Sequence, residues 1–276
     1  MNERLLRPLA LAAGMMTVVR LPEVGEVRAE ELSRSTAFYP LIGLGVGLVP
    51  ALALLLPIAA GPRASLALSL WVVVTGALHL DGWADSADAA FIAEGRDPQA
   101  SRSRRLEVLR DPRVGTFGGV ALSLLLISKW SVLVHSQPIA PLLAAPTARW
   151  AMVWALAALP PARADGLGAS LAGGARLGGA TGVLLLVLGL IGGLVIILRG
   201  FGLDLVGGGV APLGLAGIAV LSIVIVAAGI IFGIGLGRLL AWRFGGMTGD
   251  LCGAVGEGVE LVVLWVGLLT MGGGPW

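Results

Sequence analysis

The chain has 276 residues, of which 57% are hydrophobic and 13% charged, and its mean hydropathy is +0.92. Soluble domains run near a quarter charged, so this composition excludes an ordinary soluble fold. The formal net charge of +2 gives no argument for a nucleic-acid partner, and the single cysteine, Cys252, excludes an internal disulfide.

The N-terminus, MNERLLRPLALAAGMMTVVRLP, carries a short apolar stretch that Arg20 ends. No small-residue cleavage site stands behind it, so it reads as an amphipathic segment on the membrane surface rather than a signal peptide. Apolar runs long enough to cross a bilayer follow at about 39–60, 65–80, 114–135, 139–160, 179–199, 211–237 and 251–272. The sixth is long enough to be tilted or broken, which leaves an eighth span open. No internal repeat or linker is visible. The expectation is an all-α fold, a polytopic integral membrane helix bundle of about seven transmembrane helices. It forms one domain over residues 1–276, with 1–38 as a cytoplasmic or interfacial segment and 81–113 as a cytoplasmic loop.

Basic residues set the orientation. Arg4, Arg7, Arg20, Arg28 and Arg34 precede the first span. Arg96, Arg102, Arg104, Arg105, Arg110 and Arg113 follow the second, Arg163 and Arg176 the fourth, and Arg238 and Arg243 the sixth. Only Arg63 and Arg199 stand near the other span ends. This pattern puts the N-terminus in the cytoplasm and the C-terminus outside, with residues 81–113 and 243–250 together on the cytoplasmic side.

Those two segments hold the unusual chemistry. In LHLDGWADSADAAF (78–91), Asp81, Asp85 and Asp88 are spaced i, i+4, i+7 and share one helix face. Three carboxylates so close repel one another, and a hard divalent cation such as Mg2+ or Mn2+ relieves that repulsion while also holding phosphates. The alternative is a solvated helix end, but acids flush against a span are functional by default. Gly82 lets a bulky group approach the backbone, and His79 is placed either to orient a carboxylate or phosphate or to pack at the interface.

Downstream, SRSRRLEVLRDPRVGTFG (101–118) begins with a positive-inside anchor, Arg102, Arg104 and Arg105. Its second half sets Arg110, Asp111 and Arg113 beside a glycine-bounded turn. Arginine forks and a helix N-terminus both suit phosphate, and Arg113 is the best placed to hold an anion; Arg110 and Asp111 have the option of pairing with each other. In GGMTGDLCGAVGE (245–257), Asp250 and Glu257 share a face, Thr248 suits a helix cap better than a phosphate contact, and Cys252 suits packing. Arg149 lies inside the fourth apolar run and needs a partner, either a site carboxylate or a substrate phosphate. Lys129 raises the same question unless it snorkels to the interface. The eight tryptophans read as interface markers. Together these features fit metal-assisted phosphoryl transfer at the membrane surface.

HLDGWADSADA, SRSRRLEVLRDPRVGTFG, ARWAM and GGMTGDLCGAVGE, in that order and spacing, resemble the successive signatures of the cobalamin synthase family, the membrane-bound adenosylcobinamide-GDP ribazoletransferases. RLPEVG and FYPLIG match its entry to the first span, and the resemblance covers about residues 17–272. It implies that α-ribazole, or its 5′-phosphate, attacks adenosylcobinamide-GDP through its 3′-hydroxyl and displaces GMP, with Mg2+ required. The matching positions are His79, Asp81, Gly82, Asp85, Asp88, Asp111, Arg113, Gly115, Thr248, Gly249 and Asp250. The resemblance implies Asp81, Asp85 and Asp88 as metal ligands, completed by Asp250. By likeness to CDP-alcohol phosphotransferases, Asp88 is expected to accept the hydroxyl proton, with His79 and Arg113 beside it in catalysis. Arg113, Arg149, Gly82, Asp111, Gly115, Thr248 and Gly249 are expected to bind substrate. Three positions depart from the family's usual pattern: Met247 in place of tyrosine, IAEG after Phe91 in place of Gly-Gly, and Arg110 in place of lysine.

Two other readings compete. A CDP-alcohol phosphotransferase usually carries an alanine-arginine pair soon after its first Asp-Gly, where this chain has Asp85. A cation- or proton-coupled transporter places its acids near the midplane, often on paired repeats, whereas these acids sit at span ends. The expected location is a bacterial inner membrane with the site facing the cytoplasm. The expected partners are the two substrates and the lipid bilayer, without nucleic acid; a homo-oligomer is left open.

Overall fold

The computed structural model describes residues 3–19, 27–171, 174–206 and 214–271. Arg20 and RLPEVG (20–25), the first three residues of the expected sixth span (211–213) and the last of the seventh (272) lie outside the described residues. The described residues are helical apart from turns and one isolated bridge, Pro161 to Met247. In chain order the helices are α1 (Glu3–Met16), α2 (Ala29–Ser35), α3 (Tyr39–Ala53), α4 (Ala60–Thr75), α5 (Leu78–Ala90) and α6 (Pro98–Val108). Then come α7 (Thr116–His135), α8 (Ile139–Ala158), α9 (Leu167–Leu171), α10 (Leu177–Gly200), α11 (Gly214–Phe244) and α12 (Gly249–Met271). A 3-10 turn (Thr36–Phe38) joins α2 to α3.

Six of these segments are long and apolar enough to cross a membrane: α2 with α3, then α7, α8, α10, α11 and α12. The α4–α5 pair passes the same test jointly but is bent by 88°, so the total reaches seven when that pair is one broken span. The sixth run is a single unbroken helix of 31 residues. The loop expected at 81–113 is largely helical: its first residues belong to α5, which begins at Leu78, and Pro98–Val108 form α6. The break before α5 has a local cause. Ala77 N–H donates to the Val72 carbonyl and Gly76 N–H to that of Val73, the double bond of a Schellman end. Gly76 (φ 61) takes the left-handed conformation that end requires. Ala77 (φ 58) follows it there, the one described non-glycine residue with positive φ.

Helix α8 is the centre of the bundle, with α3, α10, α11 and α12 packed around it. Small residues set the spacing: a Cβ on Gly43 would lie 2.7 Å from the Ala145 carbonyl oxygen on α8. On the other side of α12, a Cβ on Gly233 of α11 would lie 2.8 Å from Val259.

Four buried charges cross-link this centre. Lys129 Nζ on α7 donates to Glu257 Oε2 and Glu260 Oε2 on α12, each at 2.5 Å. Arg149 on α8 pairs with the other oxygen of Glu260. All four side chains are buried, and their formal charges cancel. The Trp71 ring lies 5.1 Å from Nζ, so this tryptophan is a core residue, not an interface marker. Lys129 therefore does not snorkel, Glu257 does not join Asp250, and the partner of Arg149 is Glu260.

Breaking a buried pair from one side costs about 3–5 kcal/mol, because the other charge stays buried alone. Lys129→Met is expected to lower the thermal midpoint of the detergent-purified protein sharply. The double variant Lys129→Met/Glu257→Gln leaves only the neutral Arg149–Glu260 pair and is expected to recover most of the loss. Equal midpoints for the wild type and the single variant would contradict the network.

Candidate active site at the α5–α12 crossing

Helix α5 crosses the N-terminal turn of α12. Gly82 makes this possible: a Cβ there would lie 2.6 Å from the Asp250 carbonyl oxygen. The bulky group that approaches the Gly82 backbone is thus α12 itself. Asp81 is exposed, whereas Asp85, Asp88 and Asp250 are half-buried. The charges that act on Asp85 are those of Asp81, Asp250 and Asp88, all acidic. The fold therefore gathers the four expected carboxylates around Asp85. Among the described residues, no three His, Cys, Asp or Glu side chains converge tightly enough to enclose an ion unaided.

Asp88 differs from its neighbours. Its Oδ2 accepts from Gly115 N–H at 2.7 Å and its Oδ1 from Gly118 N–H at 2.8 Å. It thus caps α7 from outside the helix, satisfying N–H groups that have no intrahelical acceptor. Gly115 is required here for that reason: a Cβ would lie 2.5 Å from the Asp88 carboxylate. Trp83 Nε1 donates to the Ala121 carbonyl at 3.2 Å, and Phe91 stacks on Phe117 at 4.5 Å, completing the α5–α7 junction. Among the described residues, Asp81 and Asp85 accept no hydrogen bond.

The other expected residues fall at varied distances from this centre. Arg113 grips Asp111 with two side-chain bonds of 2.9 and 2.7 Å, which hold the Asp111 carboxyl down to about 2. Arg113 is exposed and bonds none of the four aspartates. Arg110 pairs with Asp165 at 3.0 Å rather than with Asp111. Thr248 Oγ1 accepts from Leu251 N–H at 3.3 Å, the cap expected of it, and Gly249 opens α12 with clear space where a side chain would stand. Cys252 is buried, as a packing residue should be. Arg149 is fully buried, and its Nη2 lies 3.5 Å from Nδ1 of His79, itself only 4% exposed.

Three arginines read from sequence as topology signals do more. Arg105, buried, donates to Glu94 at 2.5 Å and to the carbonyls of Ile92 and Arg243. Arg243 bonds the same Glu94 carboxylate and the Ala90 carbonyl. This clamp fixes the end of α5 to the end of α11. Arg163 follows α8 in PPARADG, where an Arg and an Asp just past a span were the available signal. Backbone bonds from Met247 N–H to the Pro160 carbonyl and from Ala162 N–H to the Met247 carbonyl tie its segment to the glycine turn before α12. Partial burial and Arg110 push the Arg163 guanidinium down, while Asp250 and Asp165 favour its charge. A cavity of about 250 Å3 opens between Arg163, Thr248, Asp250 and His79.

A side-chain cap is worth about 0.5–2 kcal/mol. Asp88→Ala is therefore expected to speed amide exchange at Gly115 and Gly118, and Asp88→Asn, which keeps one acceptor oxygen, to do so less. Unchanged exchange in the alanine variant would remove Asp88 from the cap.

Comparison with known proteins gives one consistent result. The sequence model described as CobS, cobalamin-5-phosphate synthase, matches residues 8–268. A Stutzerimonas stutzeri protein named adenosylcobinamide-GDP ribazoletransferase is 38% identical over 95% of this chain and 97% of its own. Proteins of the same name from Pseudomonas entomophila (39% identity; 92% of this chain and 93% of theirs) and Mesorhizobium japonicum (31%; 97% and 95%) are similar along most of their length. No solved structure matches. With the aspartate helix, the glycine turn and the basic loop all inside the matched region, this chain belongs to the CobS family of cobalamin-5-phosphate synthases.

Proposed function

We propose that the protein transfers the cobinamide phosphate of adenosylcobinamide-GDP to α-ribazole or its 5′-phosphate, releasing GMP in the last stage of cobalamin synthesis. The observation that carries this reading is the gathering of Asp81, Asp85, Asp88 and Asp250 at one end of a membrane bundle, in a chain whose full-length relatives bear that enzyme's name. A ribose hydroxyl forms the new bond to the cobinamide-side phosphorus. The bond from that phosphorus to the GMP oxygen breaks, and the hydroxyl proton passes to a carboxylate of the cluster.

The donor set suits Mg2+: the oxygens are hard, and Asp85 is surrounded by acids with no cation among them. Asp81, Asp85 and Asp250 would hold the ion, with substrate phosphate oxygens filling the remaining positions. Bound Mg2+ would neutralise the pyrophosphate and stabilise the departing GMP. Asp88, the expected ligand and base, has only the lone pairs that Gly115 and Gly118 leave free, whereas Asp85 accepts no hydrogen bond and is the better proton acceptor on geometry. The open first turn of α12, with Gly249 and Thr248, offers backbone N–H groups to a phosphate. Arg163 supplies positive charge beside Asp250.

The arginine-rich α6 and Arg243 belong to the same end of the bundle as the aspartates. By the positive-inside rule the site faces the cytoplasm of a bacterial inner membrane.

Purified protein given adenosylcobinamide-GDP, α-ribazole and Mg2+ is expected to release GMP, and to stop when ribazole is omitted or EDTA added. Asp85→Asn is expected to lower kcat/KM by roughly 10²–10³-fold, the usual loss for one group that stabilises transition-state charge. Release that ignores ribazole or the metal would overturn the reading. A reporter fused after Trp276 is expected on the outer face; a cytoplasmic reporter would reverse the orientation.

A further inference from the structure

We propose that the cavity beside α12 receives the benzimidazole base of α-ribazole, and that His79 recognises the base's unsubstituted ring nitrogen through Nε2–H. This rests on the transferase reading above and adds where the nucleoside sits and what selects it.

The proton on His79 is fixed by its neighbour. Nδ1 faces Arg149 Nη2 at 3.5 Å. A guanidinium can only donate, so Nδ1 is the acceptor and the neutral ring carries its hydrogen on Nε2. Nε2 is buried and has no hydrogen-bond partner among the described residues. A buried donor left unpaired is costly, and the network of Lys129, Glu257, Glu260 and Arg149 holds the ring in this state. His79 also lines the cavity described above. Two cavity-lining donors thus await an acceptor from a ligand: His79 Nε2, beside the apolar wall, and Arg163 Nε, beside Asp250.

The rest of the wall defines the ligand's class. Met15, Met16, Tyr39, Met152 and Leu156 form the inner part, and the Tyr39 hydroxyl already rests on the Met15 sulfur. Thioethers and an aromatic ring suit a flat apolar heterocycle. At about 250 Å3 the space is below the usual ~300–1,000 Å3 of sites for larger ligands, so it admits a bicyclic base and not a corrinoid. A guanine, polar around its rim, would leave most of its donors and acceptors unpaired against this wall. A benzimidazole joined to ribose through one nitrogen has a single acceptor, the other nitrogen, and otherwise presents carbon. The outer lining is Thr248, Gly249, Asp250 and Arg163, part of the carboxylate site itself. A nucleoside seated base-inward thus presents its ribose to the acids, and His79 is a base-binding residue rather than one that orients phosphate.

The test compares α-ribazole with the isosteric riboside in which the free ring nitrogen is C–H, an indole nucleoside of the same configuration. GMP release from adenosylcobinamide-GDP is the readout. The wild type is expected to favour α-ribazole by ~10–100-fold in kcat/KM, the effect of one buried donor left unpaired. In His79→Phe the two nucleosides should become equivalent, with the KM for adenosylcobinamide-GDP unchanged; His79→Gln, which restores an N–H donor, should restore part of the preference. Should His79→Phe not fold, Ala169→Trp narrows the same cavity from its lining and is expected to raise the KM for α-ribazole selectively. A wild type that uses both nucleosides equally, a phenylalanine variant that still discriminates, or an Ala169→Trp protein with unaltered KM would each overturn the base site while leaving the transferase reading intact. No GMP release with α-ribazole in the wild type would instead defeat the transferase reading, and this inference with it.

Discussion

Glu260 accepts from Lys129 with one oxygen and pairs with Arg149 through the other, and much of the bundle is arranged to satisfy that carboxylate. Each charge placed in hydrocarbon costs about 2.5–3.5 kcal/mol on insertion scales. Two cations on different helices and two anions on a third remove the cost only when all three helices are docked. The network is thus a condition on assembly: α7, α8 and α12 must meet in one register or leave an ion bare. Apolar packing between helices discriminates poorly among registers in lipid, where a leucine is as comfortable outside as inside. The charges supply the discrimination, and the glycines at the α3–α8 and α11–α12 contacts then fix how closely the helices approach.

The end of the bundle that holds the aspartate cluster inherits its geometry from this centre. Arg149 meets His79 in the first turn of α5, and Gly82, one turn later, lies against the first turn of α12. Two points on α5 are thereby set by α8 and α12 before any ligand arrives. Asp88 provides a third by capping α7. The three aspartates on one helix face consequently divide their work. Asp88 fastens the helix, while Asp81 and Asp85 keep oxygens without hydrogen bonds. Asp85, beside three other carboxylates, is where their mutual repulsion concentrates. A fixed backbone beneath unpaired acids is what preorganised charge stabilisation requires.

The spans were legible because hydropathy is a local property. Observed ends such as Thr116–His135 and Ile139–Ala158 lie within two residues of the apolar runs. The aspartate face was legible too, since i, i+4, i+7 spacing holds on any helix. The turn at Gly76 and Ala77 was not. The apolar pattern runs straight through it into LHLDGW, and only one glycine marks the break. The cap by Asp88 was equally hidden, because it joins residues 27 and 30 positions apart and depends on how α5 lies against α7. Glu260 drew no attention within GEGVE although Lys129 and Arg149 did, since pairing over 131 and 111 positions is a matter of tertiary register. Arg163 and Arg105 were visible as charges but not as neighbours of Asp250 and Glu94. Composition told where basic residues belong, while only the fold told what they touch.

The buried network also sets a timetable for synthesis. Lys129 leaves the ribosome 128 residues ahead of Glu257, and Arg149 leaves 111 ahead of Glu260. At ~5–20 residues per second, α7 and α8 wait on the order of 6–25 s for their counter-ions. During that interval each carries an uncompensated cation, a state poorly suited to release into lipid. Helix α12, which emerges after both, is the one that neutralises them, so a chain interrupted before it retains two marginal membrane segments and lacks Asp250 of the carboxylate cluster. Docking of α12 thus completes the buried network, and the carboxylate that neutralises Lys129 and Arg149 lies on the same helix as Asp250 of the aspartate cluster.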